Sequence, residues 1–485
     1  MEHQLLVGKY TLESLTSGLY ISPLDLYREY VQNAADSIDQ AISKKILKED
    51  AAYISIEVDS AQRSICIRDN GTGVSWEDSL TTLIDIGNSK KRHSTSRGFR
   101  GIGRLSGLGY CEKLRFKTTA IDEDVVTIID YNTKLLQKLL SPQEENRDSV
   151  DDVLQKVISV SREPEKEQAH YFIVEMQGVP SETGLLDKDT VFNYMQQNLP
   201  VPFSDEFVWG TLIKQKLSNN NIRLYEYNIA LKIDKEYLRL HKPYTDTVLS
   251  DRIRRIPDLI SDIQFREFFV DGHLSATIWY AQTNFFGTVL DKTIKGIRIR
   301  QGNILVGDQS SLRRCFKEER FNGWLVGELH IFDERIIPNT RRDDYEKTNE
   351  YRELLRQLSE WSAEISKMIR HKSYERSLTQ QEKLIVDEER ILNPKDTIQN
   401  NDVSITELDT YDMDDSDSVA NTDLLSKLSI LMNMGSKVTK YNIINLNTKM
   451  TVDQKKTIEK VFDILYRKYS RNKANDIAKS IVNEF

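Results

Sequence analysis

A helix with a polar stripe on one face, followed closely by two glycine-rich segments, restricts the folds that this chain can adopt. The segment "YREYVQNAADSIDQA" (27–41) has apolar residues at helical spacing. Glu29, Asn33 and Asp36 fall together on another face, one turn apart. Taken alone, this face predicts contact with water, so its meaning depends on the segments that follow.

Two glycine-bearing segments come next. In "IRDNGTG" (67–73), Asp69 ends a strand-like run, and Gly71 and Gly73 allow a tight turn and the close approach of a ligand. In "RGFRGIGRLSGLGY" (97–110), five glycines leave backbone N–H groups free to face an anion, and the segment leads into a predicted helix start. The order of the three segments therefore indicates a site for a phosphate-bearing ligand.

The stretch between the two glycine segments, "LIDIGNSKKRHSTSRG" (83–98), is polar and poorly periodic. Such a composition is typical of a lid that closes over a bound ligand. Ser89, Lys90 and Lys91 lie in this lid, and we expect them to add polar and positive groups near an anion.

Composition indicates an ordinary globular protein. The chain has 485 residues, 39% of them hydrophobic and 29% charged, and a net charge of −8, which gives no general attraction to nucleic acid. Cys66, Cys111 and Cys315 are too few and too far apart for a disulfide framework or a metal cluster. The sequence has no long apolar run and no signal-peptide pattern, so we expect a cytoplasmic protein without a membrane partner.

The order of helical and strand-like patterns predicts an α+β protein with five regions. Alternation at Ile54–Val58 and Ile65–Ile67 indicates a hairpin, and we expect residues 141–168 to form a helix and a loop. The predicted regions are a nucleotide-binding α/β sandwich at 1–182, a second α/β domain at 183–345, a long amphipathic helix at 346–400, an acidic linker at 401–423 and a C-terminal helical domain at 424–485.

Over residues 20–180, the motifs "REYVQNAADSID", "DNGTG" and "GFRGIGRLSG" resemble those of the GHKL ATPases, which include gyrase B-type subunits, ninety-kilodalton heat-shock chaperones, histidine kinases, MutL and MORC proteins. The resemblance implies the Bergerat fold, in which ATP lies between helices and a mixed sheet. It also implies ATP and Mg²⁺ as ligands and ATP hydrolysis as the activity.

The resemblance assigns roles residue by residue. It implies that Glu29 activates the attacking water, that Asn33 binds Mg²⁺ and that Asp69 reads adenine. Asp36 has either a ligand contact or a structural pairing. The remaining nucleotide-binding residues that it implies are Gly71, Gly73, Ser89, Lys90, Lys91, Gly98, Gly101, Ile102 and Gly103.

A second resemblance lies in the region 183–345. "RFNGWLVGELHIFDERIIPNTRRDDYE" (320–346) is similar to the segment of chaperone-type middle domains that carries a basic residue to the γ-phosphate of ATP. By this resemblance we expect Arg342, in preference to Arg341, to make that contact. One departure concerns the last strand of the nucleotide domain, where the family often has Gly-Thr and this chain has "QAHYFIV", with His170 nearest.

The sequence leaves three possible functions of the nucleotide site open. A chaperone-like clamp on a protein client is favoured by the glycine loop and the middle-domain segment. A MORC- or gyrase-like clamp on nucleic acid would use the basic runs "DRIRR" (251–255), "IRIRQ" (297–301) and "LRRCFKEER" (312–320). The third is a non-enzymatic nucleotide sensor that controls a partner protein, as in stand-alone GHKL proteins of prokaryotic conflict and antiviral defence systems.

We also expect a homodimer. The first 22 residues are apolar and either pack on their own domain or cross to a second copy, as in dimers of the family. An apolar stripe from Ile458 to Tyr469 provides a second contact that does not depend on nucleotide.

Overall fold

The computed structural model describes residues 9, 11–12, 22–85, 103–141, 148–219 and 222–378. Along this part of the chain, helices and strands follow one another without a regular alternation, and most of the strands form two large mixed sheets. This arrangement confirms the predicted α+β class. Within the described ranges, no helix is long and apolar enough to cross a membrane. The predicted acidic linker and C-terminal helical domain, and the stripe from Ile458 to Tyr469, lie outside these ranges.

Eight of the described strands form the first sheet, which carries the predicted ATP motifs. In chain order they are β1 (Ile54–Asp59), β2 (Ser64–Asp69), β3 (Lys113–Thr119), β4 (Val125–Tyr131), β5 (Ile158–Pro164), β6 (Tyr171–Gln177), β7 (Ile229–Ile233) and β8 (Glu236–Arg239). Their order across the sheet is β5-β4-β3-β6-β2-β1-β7-β8. Neighbours are antiparallel except β1 and β7, which are parallel, so strands from both sides of residue 182 complete one sheet. The predicted hairpin is confirmed as β1 and β2, with Ile56 opposite Ile67.

Helix α1 (Asp25–Ser43) packs against β1 and β2. Its apolar stripe is buried as the sequence predicts, and Val31 and Ile38 are fully covered in the core that also holds the inward residues of the sheet. The turn before the helix is closed reciprocally, because the Ser22 hydroxyl accepts from Leu24 N–H at 3.3 Å and the Asp25 carboxylate accepts from Ser22 N–H at 3.4 Å. This packing holds the polar face of α1 in one orientation.

Within the described ranges, five shorter helices follow α1 in chain order: α2 (Trp76–Leu83), α3 (Thr133–Leu140), α4 (Val150–Val157), α5 (Lys188–Asn198) and α6 (Trp209–Asn219). The expectation of a helix and a loop between 141 and 168 is wrong in part, because β5 follows α4 directly. β5 lies at the edge of the sheet and almost all its residues are exposed, so it has no apolar alternation by which to recognise it.

The second large sheet has the strand order β11-β12-β15-β13-β14, with β13 and β15 parallel. Its strands are β11 (Asp262–Val270), β12 (His273–Gln282), β13 (Gly296–Gln301), β14 (Ile304–Val306) and β15 (Val326–Ile331), preceded by the hairpin β9 (Thr247–Ser250) and β10 (Ile256–Leu259). The long helix α7 (Asn349–Ser377) packs on β11, and Leu354 and Trp361 share one core with the sheet. α7 lies within the region 346–400 for which the sequence predicts an amphipathic helix, and residues 379–400 lie outside the described part of the chain.

Candidate nucleotide site

The polar face of α1 is not a water-exposed face. The side chains of Glu29 and Asp36 are buried, with 7% and 3% of their surface exposed, and Asn33 between them is partly exposed. A carboxylate loses favourable hydration when it is buried, so it stays charged only beside compensating groups. The exposed-face interpretation of this helix therefore does not hold, and the surroundings of each carboxylate become informative.

Two arginines compensate Glu29. Arg28 Nη2 lies 3.6 Å from Glu29 Oε1, and Arg342 Nε lies 3.7 Å from the same oxygen. Burial lowers the pKa of Arg342, while Glu29, and further away Asp36, act in the opposite direction. An arginine remains charged even so, because its ordinary pKa is above 12. Glu29 thus lies between two buried guanidinium groups, one from its own helix and one from the segment between β15 and α7.

The loop that carries Arg342 is tightly closed. Pro338 pairs with Tyr345 across it, and Asn339 accepts from Arg342 N–H at 3.1 Å through its backbone carbonyl. Arg342 has φ +57°, a left-handed conformation that is unfavourable for a residue with a side chain. Arg341 is exposed, and its backbone carbonyl accepts from Arg28 Nη2 at 3.4 Å. Of the two predicted candidates, the structure therefore brings the Arg342 side chain to Glu29.

Asp69 ends β2 and organises the turn after it. Its Oδ1 accepts from Gly71 N–H at 2.8 Å, and the carboxylate is buried. A Cβ at Gly71 would lie 2.2 Å from Ser37 Oγ on α1, and Gly73 has φ +63° with a Cβ position 1.9 Å from the Thr119 carbonyl oxygen. Both positions require glycine, because the turn is pressed between α1 and β3.

Two sets of contacts hold the Asp69 turn in this chain, which lacks the Gly-Thr that the family often has at the last strand of the nucleotide domain. His170 Nδ1 lies 2.8 Å from the Gly71 carbonyl oxygen. The Thr118 hydroxyl accepts from Val74 N–H at 2.9 Å and donates to the Tyr171 carbonyl at 3.0 Å. These bonds hold the Asp69 turn against the first sheet from the side opposite α1.

The second glycine segment is described from Gly103 onward, as a 3₁₀ helix Gly103–Gly109. A Cβ at Gly103 would lie 2.4 Å from Glu29 Oε2, so this backbone passes directly over the candidate base. The Tyr30 hydroxyl accepts from Gly107 N–H at 3.0 Å and donates to the Arg104 carbonyl at 3.0 Å, which fixes the segment on α1. The predicted site residues that lie outside the described ranges are Ser89, Lys90, Lys91, Gly98, Gly101 and Ile102.

The donor groups fit a nucleotide and a magnesium ion. Asn33 and the two carboxylates of α1 present amide and carboxylate oxygens, the ligand types that Mg²⁺ prefers beside phosphate oxygens. The close glycine backbone at Gly103 leaves room where a side chain would fill the space over Glu29. In the described ranges, no group of three or more His, Cys, Asp or Glu has the arrangement of a metal site made by protein alone.

Sequence reasoning missed three residues around Glu29. In the sequence, Arg28 and Asp25 are distinguished only as charged neighbours of Glu29 near the start of the same helix. Tyr194 on α5 donates to Asp25 Oδ1 at 2.8 Å from a part of the chain with no motif. Adjacent charged residues before a candidate base are a signal for Arg28, whereas no sequence signal identifies Tyr194.

The comparison with protein families agrees with this geometry. Residues 28–157 match the family described as "Histidine kinase-, DNA gyrase B-, and HSP90-like ATPase". This match covers α1, the Asp69 turn and the glycine segments, and it confirms the predicted resemblance to the GHKL superfamily. It supports ATP binding and hydrolysis as the general activity.

Similar curated proteins match at most a quarter of the chain. A chaperone protein HtpG of Mycobacterium tuberculosis is 27% identical over 140 residues, 25% of this chain and 22% of the relative. HtpG of Methylibium petroleiphilum is 32% identical over 102 residues, 20% of this chain and 15% of the relative. A "putative type II restriction enzyme HgiDII" of Herpetosiphon aurantiacus is 33% identical over 114 residues, 22% of this chain and 16% of the relative. The aligned stretches thus span at most 22% of these relatives' lengths.

Proposed function

Residues 28–157 belong to the GHKL ATPase superfamily, and from this premise we propose that the chain binds ATP with Mg²⁺, hydrolyses it and uses the cycle to change conformation. The Asp69 carboxylate accepts a hydrogen bond from the exocyclic amine of adenine, beside the turn formed by Gly71 and Gly73. The backbone at Gly103, with the preceding part of the glycine segment, donates N–H groups to the phosphates. Asn33 holds Mg²⁺, which supplies charge neutralisation at the triphosphate oxygens when bound.

Hydrolysis uses Glu29 as the general base. Its carboxylate accepts a proton from a water molecule as the water oxygen forms a bond to the γ-phosphorus and the bond to the β–γ bridging oxygen breaks, leaving ADP and phosphate. A positioned base of this kind contributes about 10²–10⁴-fold to the rate. Burial of Glu29 between Arg28 and Arg342 supports this role, because a buried carboxylate with fixed partners is held in one orientation.

The single observation that carries the conformational part of the proposal is the approach of Arg342 to Glu29 at 3.7 Å. An arginine of the second domain thereby reaches the base of the first, where its planar fork suits the oxygens of a γ-phosphate. Docking of this loop is then linked to the nucleotide. Moving a mostly open population to a mostly closed one needs about 5.5 kcal/mol of differential affinity, which phosphate, Mg²⁺ and lid contacts together supply.

The test measures ATP turnover and nucleotide affinity in the full chain. Glu29→Ala is expected to abolish most turnover, by about 10²–10⁴-fold, while the affinity for a nonhydrolysable ATP analogue is retained. Asn33→Ala is expected to lose the Mg²⁺-dependent part of the affinity and to keep the part measured in EDTA. Wild-type chain without turnover, or Glu29→Ala with wild-type turnover, contradicts the proposal.

For the output of the cycle we propose chaperone-like action on a protein client. Support comes from the similarity to HtpG and from the position of the Arg342 loop. The alternative, a clamp on nucleic acid, is less well supported, because Arg298 and Arg300 of the run 297–301 are buried and do not contribute to a basic surface. Suppression of aggregation of a denatured test protein, dependent on ATP and on Glu29, is the expected result. Binding of DNA with a steep dependence on salt would instead favour the clamp, and nucleotide binding without turnover would favour a non-enzymatic regulator.

We further propose that the chain acts as a cytoplasmic homodimer. Leu12 is fully buried in the core of its own first domain, and Lys9 donates to the Leu139 carbonyl at 2.8 Å. These two contacts favour packing of the N-terminal segment on its own domain, so dimerisation is assigned to the C-terminal region. Light scattering on the full chain and on a chain ending near residue 400, each with and without the ATP analogue, tests this. A full-length monomer at micromolar concentration in both states contradicts it.

A further inference from the structure

A chain of polar contacts, which begins at the partly buried Tyr194, leads from α5 to the candidate base. Tyr194 donates its hydroxyl hydrogen to Asp25 Oδ1 at 2.8 Å. The same Oδ1 lies 3.4 Å from Arg28 Nη1, and Arg28 Nη2 lies 3.6 Å from Glu29 Oε1. Asp25 and Arg28 are both buried, so water does not screen these contacts strongly.

The Tyr194 hydroxyl is a permanent donor in this chain. Loss of hydration raises its pKa well above the ordinary value; Arg28 opposes the rise and Asp25 adds to it. The hydroxyl therefore stays protonated at any pH at which the protein works. Its hydrogen bond to a carboxylate is of the charge-assisted kind, which is stronger than a bond between neutral groups.

The position of Tyr194 is set from the second sheet. Arg300 on β13 donates through Nη2 to the backbone carbonyl of Gln197 at 2.9 Å, and Arg298 donates through Nη2 to Gln197 Oε1 at 3.3 Å. Arg300 is in turn held by the buried carboxylate of Glu328 on β15. One end of α5 is thus tied to the second sheet, and Tyr194, one turn before that end, is tied to α1.

We infer that Tyr194 is a positioning residue for ATP hydrolysis: by holding Asp25, it sets the distance of Arg28 from Glu29 and so the orientation of the base. This inference rests on the proposed function of Glu29. Without the Tyr194 hydroxyl, the Asp25 carboxylate has less compensation and draws Arg28 toward itself. Arg28 then moves away from Glu29, and the base loses one of the two guanidinium groups that orient it.

The experiment compares Tyr194→Phe with Tyr227→Phe in the full chain. Tyr227 is a matched control, because its hydroxyl also donates to a carboxylate of α1, Asp39, at 2.8 Å. Asp39 lies about 15 Å along the helix from Glu29, against about 6 Å for Asp25, at 1.5 Å of rise per residue. Tyr194→Phe is expected to lower kcat about tenfold, because one hydrogen bond to a charged group is lost. The affinity for the ATP analogue is expected to stay unchanged. Tyr227→Phe is expected to change kcat less than twofold.

A second measurement separates positioning from a loss of folding. In the Glu29→Ala background, Tyr194→Phe is expected to have no further effect on the residual turnover, because Tyr194 acts through Glu29. A purely structural role lowers turnover by the same factor in both backgrounds and overturns the inference. Equal losses in Tyr194→Phe and Tyr227→Phe, or wild-type kcat in Tyr194→Phe, overturn it as well. If Glu29→Ala itself retains wild-type turnover, the proposed function fails first, and that result is distinct from the others.

Discussion

Arg342 Nε lies 3.7 Å from Glu29 Oε1, although Glu29 is on α1 and Arg342 is in the loop between β15 and α7, near opposite ends of the described chain. The contact is buried on both sides and is made by a residue with a left-handed backbone. A strained conformation persists only where the surrounding structure holds it, and such residues cluster at functional sites. The Arg342 loop is therefore the element that brings a residue from the segment between β15 and α7 to the candidate base.

The first prediction compares the two adjacent arginines of this loop. Arg342→Ala is expected to lower ATP turnover by about 10²–10³-fold, as for the loss of one group that stabilises charge in a transition state. Arg341→Ala is the control, because the Arg341 side chain is exposed and only its backbone carbonyl contacts Arg28. Steady-state phosphate release measures both variants. Equal effects of the two substitutions would show that neither side chain has a specific role.

Gly103→Ala tests the space over Glu29. The added Cβ would lie 2.4 Å from Glu29 Oε2, so the carboxylate has to move. Arg28 and Arg342 restrict the directions in which it can move. We expect kcat to fall more than the affinity for the ATP analogue. Gly272→Ala is the control for a glycine away from the site: nothing lies within 4 Å of a Cβ there, but its φ of +78° is unfavourable for alanine, so stability is expected to fall while kcat is kept. Unchanged kcat in Gly103→Ala would mean that Glu29 is not constrained in this way.

Asp69→Asn tests adenine recognition. The substitution preserves an oxygen that can accept from Gly71 N–H but removes the charge, so nucleotide binding is expected to weaken by about 1–3 kcal/mol for a lost buried contact to a charged group. Calorimetry with ATP and GTP is the measurement. The wild type is expected to prefer ATP, and Asp69→Asn to lose that preference. Equal affinity of the wild type for ATP and GTP would exclude Asp69 as the adenine-reading residue.

Glu328→Gln tests the buried charge cluster of the second sheet, formed by Lys242, Arg300, Glu328 and His330. Burial alone raises the pKa of Glu328, but Arg300 and Lys242 hold it well below its ordinary value; burial lowers the pKa of Lys242 to about 7. Removing the carboxylate leaves the buried Arg300 guanidinium uncompensated and takes away the partner of Lys242, which costs about 3–5 kcal/mol of unfolding free energy. Glu236→Gln, in the exposed pair with Lys188, is the control and is expected to change the urea midpoint far less.

The last prediction concerns pH. Burial lowers the pKa of His330, and Glu328 at 3.0 Å from its Nε2 only partly opposes this, with Lys242 and Arg300 adding to the lowering. The unfolded chain therefore binds a proton at His330 near pH 6.5 while the folded chain does not. Linkage requires that the free energy of unfolding falls as the pH drops below about 6.5. Urea midpoints between pH 7 and 5.5 are expected to decline less in His330→Gln, and parallel declines in both proteins would exclude His330.

The local elements of the candidate site follow from short-range patterns. The stripe of Val31 and Ile38 defines the buried face of α1, and so the face that carries Glu29, Asn33 and Asp36. The alternation in β1 and β2 puts Asp69 at a strand end before a turn that needs glycine. Periodicity and glycine geometry act over a few residues, so they can be seen in the chain itself.

Exposure of β5 and burial of Arg298 and Arg300 could not be predicted in the same way. β5 is an edge strand, and its exposed residues give no alternation. The run 297–301 has the alternation of a half-exposed strand with arginines toward water, but β13 is covered on both faces and the arginines meet Gln197 and Glu328 instead. Which face of a strand meets water depends on the neighbours that pack on it, and those neighbours are distant in the chain.

The sequence by itself determined the type of site, because the carboxylate, amide and glycine groups that a nucleotide needs are spaced by the geometry of one helix and two turns. Only the tertiary structure decided what surrounds the base. Arg342, which the resemblance indicates for the γ-phosphate and not for Glu29, and Tyr194, which no motif indicates, approach Glu29 and Asp25 from segments far along the chain, through loop closure and the hydrogen bonds that tie α5 to the second sheet. Such contacts depend on the burial of apolar surface over the whole domain, and no local pattern in the sequence encodes which polar groups that burial brings together.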